Sequence, residues 1–70
     1  MTPRPSLSPI EVERVIEAGK AGHRLERGAL WGGWACFVRG HIIFSSGGEE
    51  SFNALMEQAE ELWAKAQKEK

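Results

Sequence analysis

Three side chains in this sequence could take part in metal or nucleophilic chemistry: the thiol of Cys36 and the imidazoles of His23 and His41. A structural zinc site needs four ligands, usually with a closely spaced pair such as Cys-x-x-Cys. The sequence has no such pair and no aspartate. A nucleophilic cysteine needs a neighbouring base, whereas a cysteine in a strand usually serves packing. We therefore expect no metal site, no catalytic residue and no cofactor, with Cys36 in the core and both histidines at the surface.

Two glycine-containing segments could be taken for phosphate-binding loops, namely Gly32-Gly33 and Ser45-Ser46-Gly47-Gly48. Neither belongs to a GxGxxG or GxxxxGK[ST] pattern. Glu49 and Glu50 follow the second segment directly and would repel an anion at the start of the helix predicted there. Turn formation explains both segments better.

A basic and aromatic stretch is the one feature typical of a nucleic-acid surface. Trp31 and Trp34 lie close in sequence to several arginines, and single-strand binding uses aromatic platforms together with positive charge. The total charge of −1 argues against strong binding that ignores sequence. A nucleic-acid-binding module that uses this patch is the alternative interpretation, although ordinary solubility explains the charges better. The residues concerned are Arg24, Arg27 and Arg39.

An acidic surface is predicted on the second helix. Five glutamates and no basic residue occur between Glu49 and Glu61. Glutamates on the polar side of an amphipathic helix are ordinarily a solvated face, but such a face would also suit a basic partner. The residues on this surface are Glu50, Glu57 and Glu61.

The elements that must position these residues form an α+β fold of two layers. Ser8-Pro9-Ile10-Glu11 is a capping box, so a first helix is predicted from there to about Lys20. Apolar residues at steps of three and four predict a second helix from about Glu49 to Lys68. Between the helices the pattern predicts an antiparallel hairpin or meander of two or three strands. We expect a flexible tail over residues 1–6 and one domain over residues 7–70. The predicted strands are Ala29–Trp31, Trp34–Val38 and His41–Ser45.

Two-residue turns at Gly32-Gly33 and Arg39-Gly40 would sort the strand side chains into two apolar faces. The helices are expected to cover the face that contains Phe37 and Phe44, although a first helix on the opposite side would bury Trp31 and Trp34 instead. The face expected to be covered comprises Leu30, Ala35, Phe37, Ile42 and Phe44. The other face, which also contains Cys36, is expected to bind a partner through Trp31, Trp34, Val38, His41 and Ile43.

Two resemblances accompany this pattern. The order helix, three strands, helix resembles the double-stranded-RNA-binding domain over most of the chain, which would imply RNA binding. Glu49 and Glu50 stand where that family has a lysine-rich start of its second helix. The segment Gly32–Val38, followed by Gly48 and an amphipathic helix, looks like the strand–strand–helix part of HicB-type antitoxins over about half the chain.

Size and composition favour an interaction protein. A chain of 70 residues buries only about 60% of its unfolded surface, so a second copy or another partner would enlarge its core. A single cysteine suggests a reducing compartment, and no apolar run resembles a signal peptide or a membrane span. We expect a cytoplasmic, non-enzymatic inhibitor or regulator, of the antitoxin or anti-defence kind found in phages and mobile elements. Its partner would be a protein target, a second copy in a homodimer, or both, with no membrane and no small-molecule substrate.

Overall fold

The computed structural model describes residues 5–69 and confirms the predicted α+β architecture. A three-stranded antiparallel sheet in the order β1-β2-β3 lies between two helices in sequence, and both helices pack on one of its faces. The predicted tail falls mostly on residues 1–4, which lie outside the described residues. The elements are α1 Pro9–Ala21, β1 Glu26–Leu30, β2 Gly33–Val38, β3 His41–Ser46 and α2 Glu49–Lys68.

Helix α1 begins and ends where the local signals predict. The Ser8 hydroxyl accepts a hydrogen bond from the Glu11 amide, and the Glu11 carboxylate accepts one from the Ser8 amide, which completes the capping box. Leu7 before the cap is buried, and Val12 packs against the same cluster of side chains. At the other end, Gly22 adopts a left-handed conformation with φ of 80°.

The first hairpin turn differs from the prediction by one residue. The turn consists of Trp31 and Gly32, so Leu30 pairs with Gly33 and Ala29 pairs with Trp34. The close contact of Gly33 with β3 explains why the turn is shifted. A Cβ at Gly33 would stand 2.5 Å from the Ser46 carbonyl oxygen, so this strand position requires glycine. Gly33 is therefore a strand residue at a close contact with β3, and the placement of Trp31 within a strand is wrong.

Strand β1 is longer than predicted and begins within the segment expected to be a connection. Gly28 lies at its centre, opposite Ala35. A Cβ at Gly28 would stand 2.9 Å from Cε1 of Phe37, so the Phe37 ring occupies the space beside this glycine. An aromatic ring that covers a strand glycine supports an otherwise weak strand.

The second hairpin turn is Arg39-Gly40, as predicted, with Val38 opposite His41. The pairing then shifts between Phe37 and Cys36, where Cys36 pairs with Phe44 and not with Ile43. This β-bulge inserts Ile43 into β3 as an extra residue. Strict alternation across β3 fails at this point.

The bulge places Phe44 on the same side of the sheet as Cys36, and the predicted assignment of the covered face is wrong. Phe44 lies beside Cys36 on the helix-facing side of the sheet, whereas Phe37 and Ile42 lie on the opposite side. Trp34 stacks on Phe52 from α2 with ring centroids 6.5 Å apart. The helices therefore cover the face of Trp34 and Cys36. The buried cluster consists of Leu7, Val15, Cys36, Phe44, Phe52, Leu55, Met56 and Ala59.

The two helices are in close contact at Gly19. A Cβ on this residue would stand 2.7 Å from the Trp63 carbonyl oxygen and 2.9 Å from Cβ of Ala66. Backbone blocks the space at one of these contacts and a buried methyl group at the other. Gly19 is therefore required by the packing of α1 on α2.

We expect Gly19→Ala to lower the free energy of unfolding by about 1–3 kcal/mol, because the added methyl group overpacks the interface. Helix propensity alone predicts the opposite sign, a gain of about 0.5–1 kcal/mol. Urea unfolding followed by circular dichroism measures the difference. Lys20→Ala, at the exposed neighbouring position, should change the free energy by less than about 0.5 kcal/mol. Equal or greater stability of Gly19→Ala would contradict the close contact.

Candidate interaction surfaces

The sheet face that points away from both helices contains several apolar side chains, together with the exposed Glu26 opposite Phe37 and the exposed Ser45 opposite Ala35. We call this surface the open face and define it by Leu30, Ala35, Phe37 and Ile42. Leu30 is 37% exposed and Ile42 is 45% exposed, and the half-buried Phe37 lies between their strands. All four residues were predicted to be in the core, and of these only Ala35 is fully buried. The run Ile42-Ile43-Phe44 breaks period-two alternation and is the sequence signal that could have indicated the bulge.

Trp31 extends the apolar surface at one end of the sheet. Its side chain is fully exposed, at 104% of the reference value, because it occupies the turn between β1 and β2. Gly32 provides the positive φ of 81° that this turn requires. Removal of a tryptophan side chain from water is strongly favourable, because its apolar surface is large. Trp31 is the most exposed large apolar side chain among residues 5–69.

The other residues predicted to bind a partner lie largely in the interior. Val38 is 8% exposed, and Ile43 is half-buried against the core cluster. Trp34 is half-buried on Phe52. His41 is exposed beside the second turn and faces the helix side with Val38. The expectation that these residues share an uncovered face with Trp31 is wrong, since both helices pack on the face that contains Trp34 and Val38, and Trp31 lies in the turn.

The three arginines predicted for nucleic-acid binding do not form one surface. Arg27 lies 5.2 Å from the centroid of the Phe52 ring and donates a hydrogen bond of 2.9 Å to Oδ1 of Asn53. Arg24 lines a shallow depression with Glu60 and Trp63 on α2. Arg39 lies in the turn between β2 and β3 and lines a different groove. Their guanidinium groups are thus distributed over three separate parts of the surface.

The acidic surface lies on the exposed side of α2. Glu57 and Glu61, one helical turn apart, line a shallow depression together with Gln58. Glu50 lies in the first turn of the same helix, where a carboxylate interacts favourably with the helix dipole. Gln58 also holds the start of the described chain, because its Nε2 donates a hydrogen bond of 2.8 Å to the Pro5 carbonyl oxygen. These carboxylates are solvated.

Cys36 is fully buried and its chemistry is that of a packing residue. Burial raises the pKa of the Cys36 thiol to about 11, the charge of Glu60 adds to the rise, and a hydrogen bond with the Glu26 backbone partly offsets it. The thiolate is the nucleophilic form of cysteine. A thiol with this pKa is almost entirely protonated at neutral pH, so Cys36 is unsuited to nucleophilic catalysis.

Within residues 5–69, no group of three or more potential metal-ligating side chains is found. Across the same described residues, neither helix combines the length and the apolar character needed to cross a membrane. No family model matches the chain, and no curated protein and no solved structure is significantly similar to it.

The two tryptophans of the first hairpin should respond differently to substitution. We expect Trp34→Ala to lower the free energy of unfolding by about 2–4 kcal/mol, since it removes the stacked contact with Phe52 and leaves a cavity. Trp31→Ala should change it by less than about 0.5 kcal/mol, because the side chain is in solvent. Urea unfolding followed by far-ultraviolet circular dichroism measures both. A loss at Trp31 as large as that at Trp34 would contradict the placement of the turn.

The Cys36 thiol should react slowly in the folded protein. A rise in thiol pKa from 9.0 to about 11 lowers the thiolate fraction at pH 8 by about 100-fold, and burial restricts access further. We expect iodoacetamide to modify Cys36 at least about 100-fold more slowly in buffer than in denaturant, measured by mass spectrometry. Free cysteine under both conditions controls for the effect of the denaturant on the reagent. Equal rates would show that the thiol is accessible in the folded state.

Proposed function

We propose that this protein is a non-enzymatic interaction module whose open face packs against a second copy of the chain. The observation that carries the proposal is the apolar surface formed by Leu30, Phe37 and Ile42 next to the fully exposed Trp31. Both helices pack on the opposite side of the sheet, so the elements formed by residues 5–69 leave this surface in solvent. Exposed apolar side chains grouped on one face of a sheet commonly mark an interaction site.

The shape of the open face favours another sheet as the occupant. The Phe37 ring lies across Gly28, and Ala35 beside it is fully buried, so the centre of the face is filled. A filled sheet face packs well against a second sheet at about 10 Å, whereas an inserted peptide or helix needs a groove. The molecule measures 16 Å along its shortest axis, which corresponds to two layers. A second copy would form four layers, with the sheets inside and the helices outside.

The area of the open face sets the strength of this association. Three strands about 4.8 Å apart, with about five residues each at 3.4 Å, cover roughly 250 Å². Trp31 adds up to about 150–250 Å². The sum is well below the roughly 800 Å² per partner that is usual for a stable complex. We therefore expect a weak, transient homodimer.

A different protein with a similar apolar surface could replace the second copy. Such competition is how an inhibitor or regulator of the antitoxin or anti-defence kind would act through this face, and that role stays a prediction. The free thiol of Cys36 suits a reducing compartment, so we place the protein in the cytoplasm as part of the same proposal.

Ile42→Lys tests the proposal, because it puts a charge beside Phe37 on the edge strand of the open face. We expect the wild-type protein to show a weight-average mass that rises from monomer towards dimer as its concentration increases to about 1 mM, the range of weak complexes. The variant should stay monomeric, since an unpaired charge buried in an apolar interface is strongly unfavourable. Sedimentation equilibrium measures both proteins.

Ile10→Lys is the matched control. Ile10 is 55% exposed and lies on α1, away from the open face, so the same substitution there should leave association unchanged. If both lysine substitutions weaken association equally, the added charge alone causes the loss of association, and the proposed surface is wrong. A wild-type protein that remains monomeric over the whole range would exclude the second copy as occupant.

A further inference from the structure

A groove at one end of the molecule brings basic side chains together from three parts of the chain. It lies between α1 and the turn that joins β2 to β3, and its volume is ≈ 340 Å³. We call it the basic groove and define it by Arg14, His23, Arg39 and His41. Ligand sites in proteins commonly have volumes from about 300 Å³ upwards, so a small molecule fits.

The basic groove has a mixed character. Arg14 and Arg39 carry permanent positive charges, and the two histidines add imidazole donors. Among the described residues that line the groove, Glu17 is the single carboxylate. Its apolar lining includes the buried Ala18 and Val38 and the half-buried Ile43. An excess of positive charge above an apolar floor is suited to an anion that carries an organic group.

The backbone holds His23 in a fixed position. Its amide donates a hydrogen bond of 2.9 Å to the Ala18 carbonyl oxygen, and its carbonyl oxygen accepts one of 2.7 Å from Nε1 of Trp63. The left-handed Gly22 directs the chain at this point. His23 is thus attached to both helices, and its imidazole is presented to the groove from a rigid support.

Arg39 occupies a position that disfavours arginine. Its φ is 53°, and it is the one non-glycine residue with positive φ in residues 5–69. A two-residue turn with positive φ at both positions usually contains asparagine, aspartate or glycine, and a side chain such as arginine is strained there. Strained residues in folded proteins cluster at functional sites. The strained backbone at Arg39 therefore indicates a functional role for its charged side chain.

We propose that the basic groove binds the phosphate group of a small phosphate ester. The phosphate of such an ester carries a charge of about −1.5 to −2 at pH 7, which matches the two guanidinium groups of Arg14 and Arg39. Guanidinium forks bind phosphate oxygens through paired, charge-assisted hydrogen bonds. The imidazoles of His23 and His41 supply further donors, and the apolar floor accommodates the organic part. The groove lies apart from the open face, so this proposal does not depend on self-association.

The test is a titration of the ¹⁵N-labelled protein with adenosine 5′-monophosphate and, separately, with O-phosphoserine, at constant ionic strength. We expect saturable chemical-shift changes at the backbone amides of Ala18, His23, Arg39 and His41, and the stronger of the two probes identifies the kind of ester. The double variant Arg14→Gln/Arg39→Asn should weaken binding by at least about tenfold, since charge-assisted hydrogen bonds are lost. Asparagine at position 39 tolerates the left-handed backbone, and the variant's own spectrum shows whether it folds.

Lys65→Gln/Lys68→Gln is the charge-matched control, because it removes two positive charges from the exposed end of α2. Its affinity for both probes should equal that of the wild type. Changes that fail to saturate, that occur throughout the molecule, or that are weakened equally in both double variants would show general charge screening and overturn the proposal. Saturable binding that the Arg14/Arg39 variant retains in full would overturn the assignment of the groove.

Discussion

The position of Phe52 decides which side of the sheet is exposed to solvent. This residue is fully buried in the first turn of α2, and its ring contacts a side chain from each of the three strands. The ring centroids are 6.5 Å from Trp34 and 5.9 Å from Phe44, and the Arg27 guanidinium lies 5.2 Å from the Phe52 centroid. Aromatic pairs add about 0.5–1.5 kcal/mol each beyond the burial of their area. These contacts fix α2 on one face of the sheet, and the opposite face is open as a direct consequence.

Elements with local signals were predictable from the sequence. The capping box at Ser8, the glycine that ends α1 and the apolar periodicity of α2 each act within a few residues. The bounds of α2 and the turn at Arg39-Gly40 agree with the prediction for the same reason. The fold class follows from the order of these elements, so it too was predictable.

The identity of the exposed face depends on contacts between distant residues, and the sequence alone did not predict it. The turn falls at Trp31-Gly32 because Gly33 must approach the backbone of Ser46, a residue in another strand. The bulge lets Ile43 and Phe44 both reach the helix side, where Phe44 packs on Phe52. One shift moved Trp31 into solvent, and the other separated Phe44, which lies on the covered face, from Ile42, which lies on the open face. These two shifts, together with the side of the sheet on which the helices pack, account for the difference between the predicted and the observed interaction surface.

The basic groove was missed because its members are scattered between positions 14 and 41, and only the turn and α1 together bring them into one place. The same turn also relates the two proposed surfaces. His41 and Ile42 are successive residues of β3, so their side chains point to opposite faces of the sheet. His41 lines the groove, and Ile42 lies on the open face. A copy of the chain packed on the open face would therefore leave the groove accessible, and a ligand in the groove would contact the other side of the hairpin that contributes to the open face.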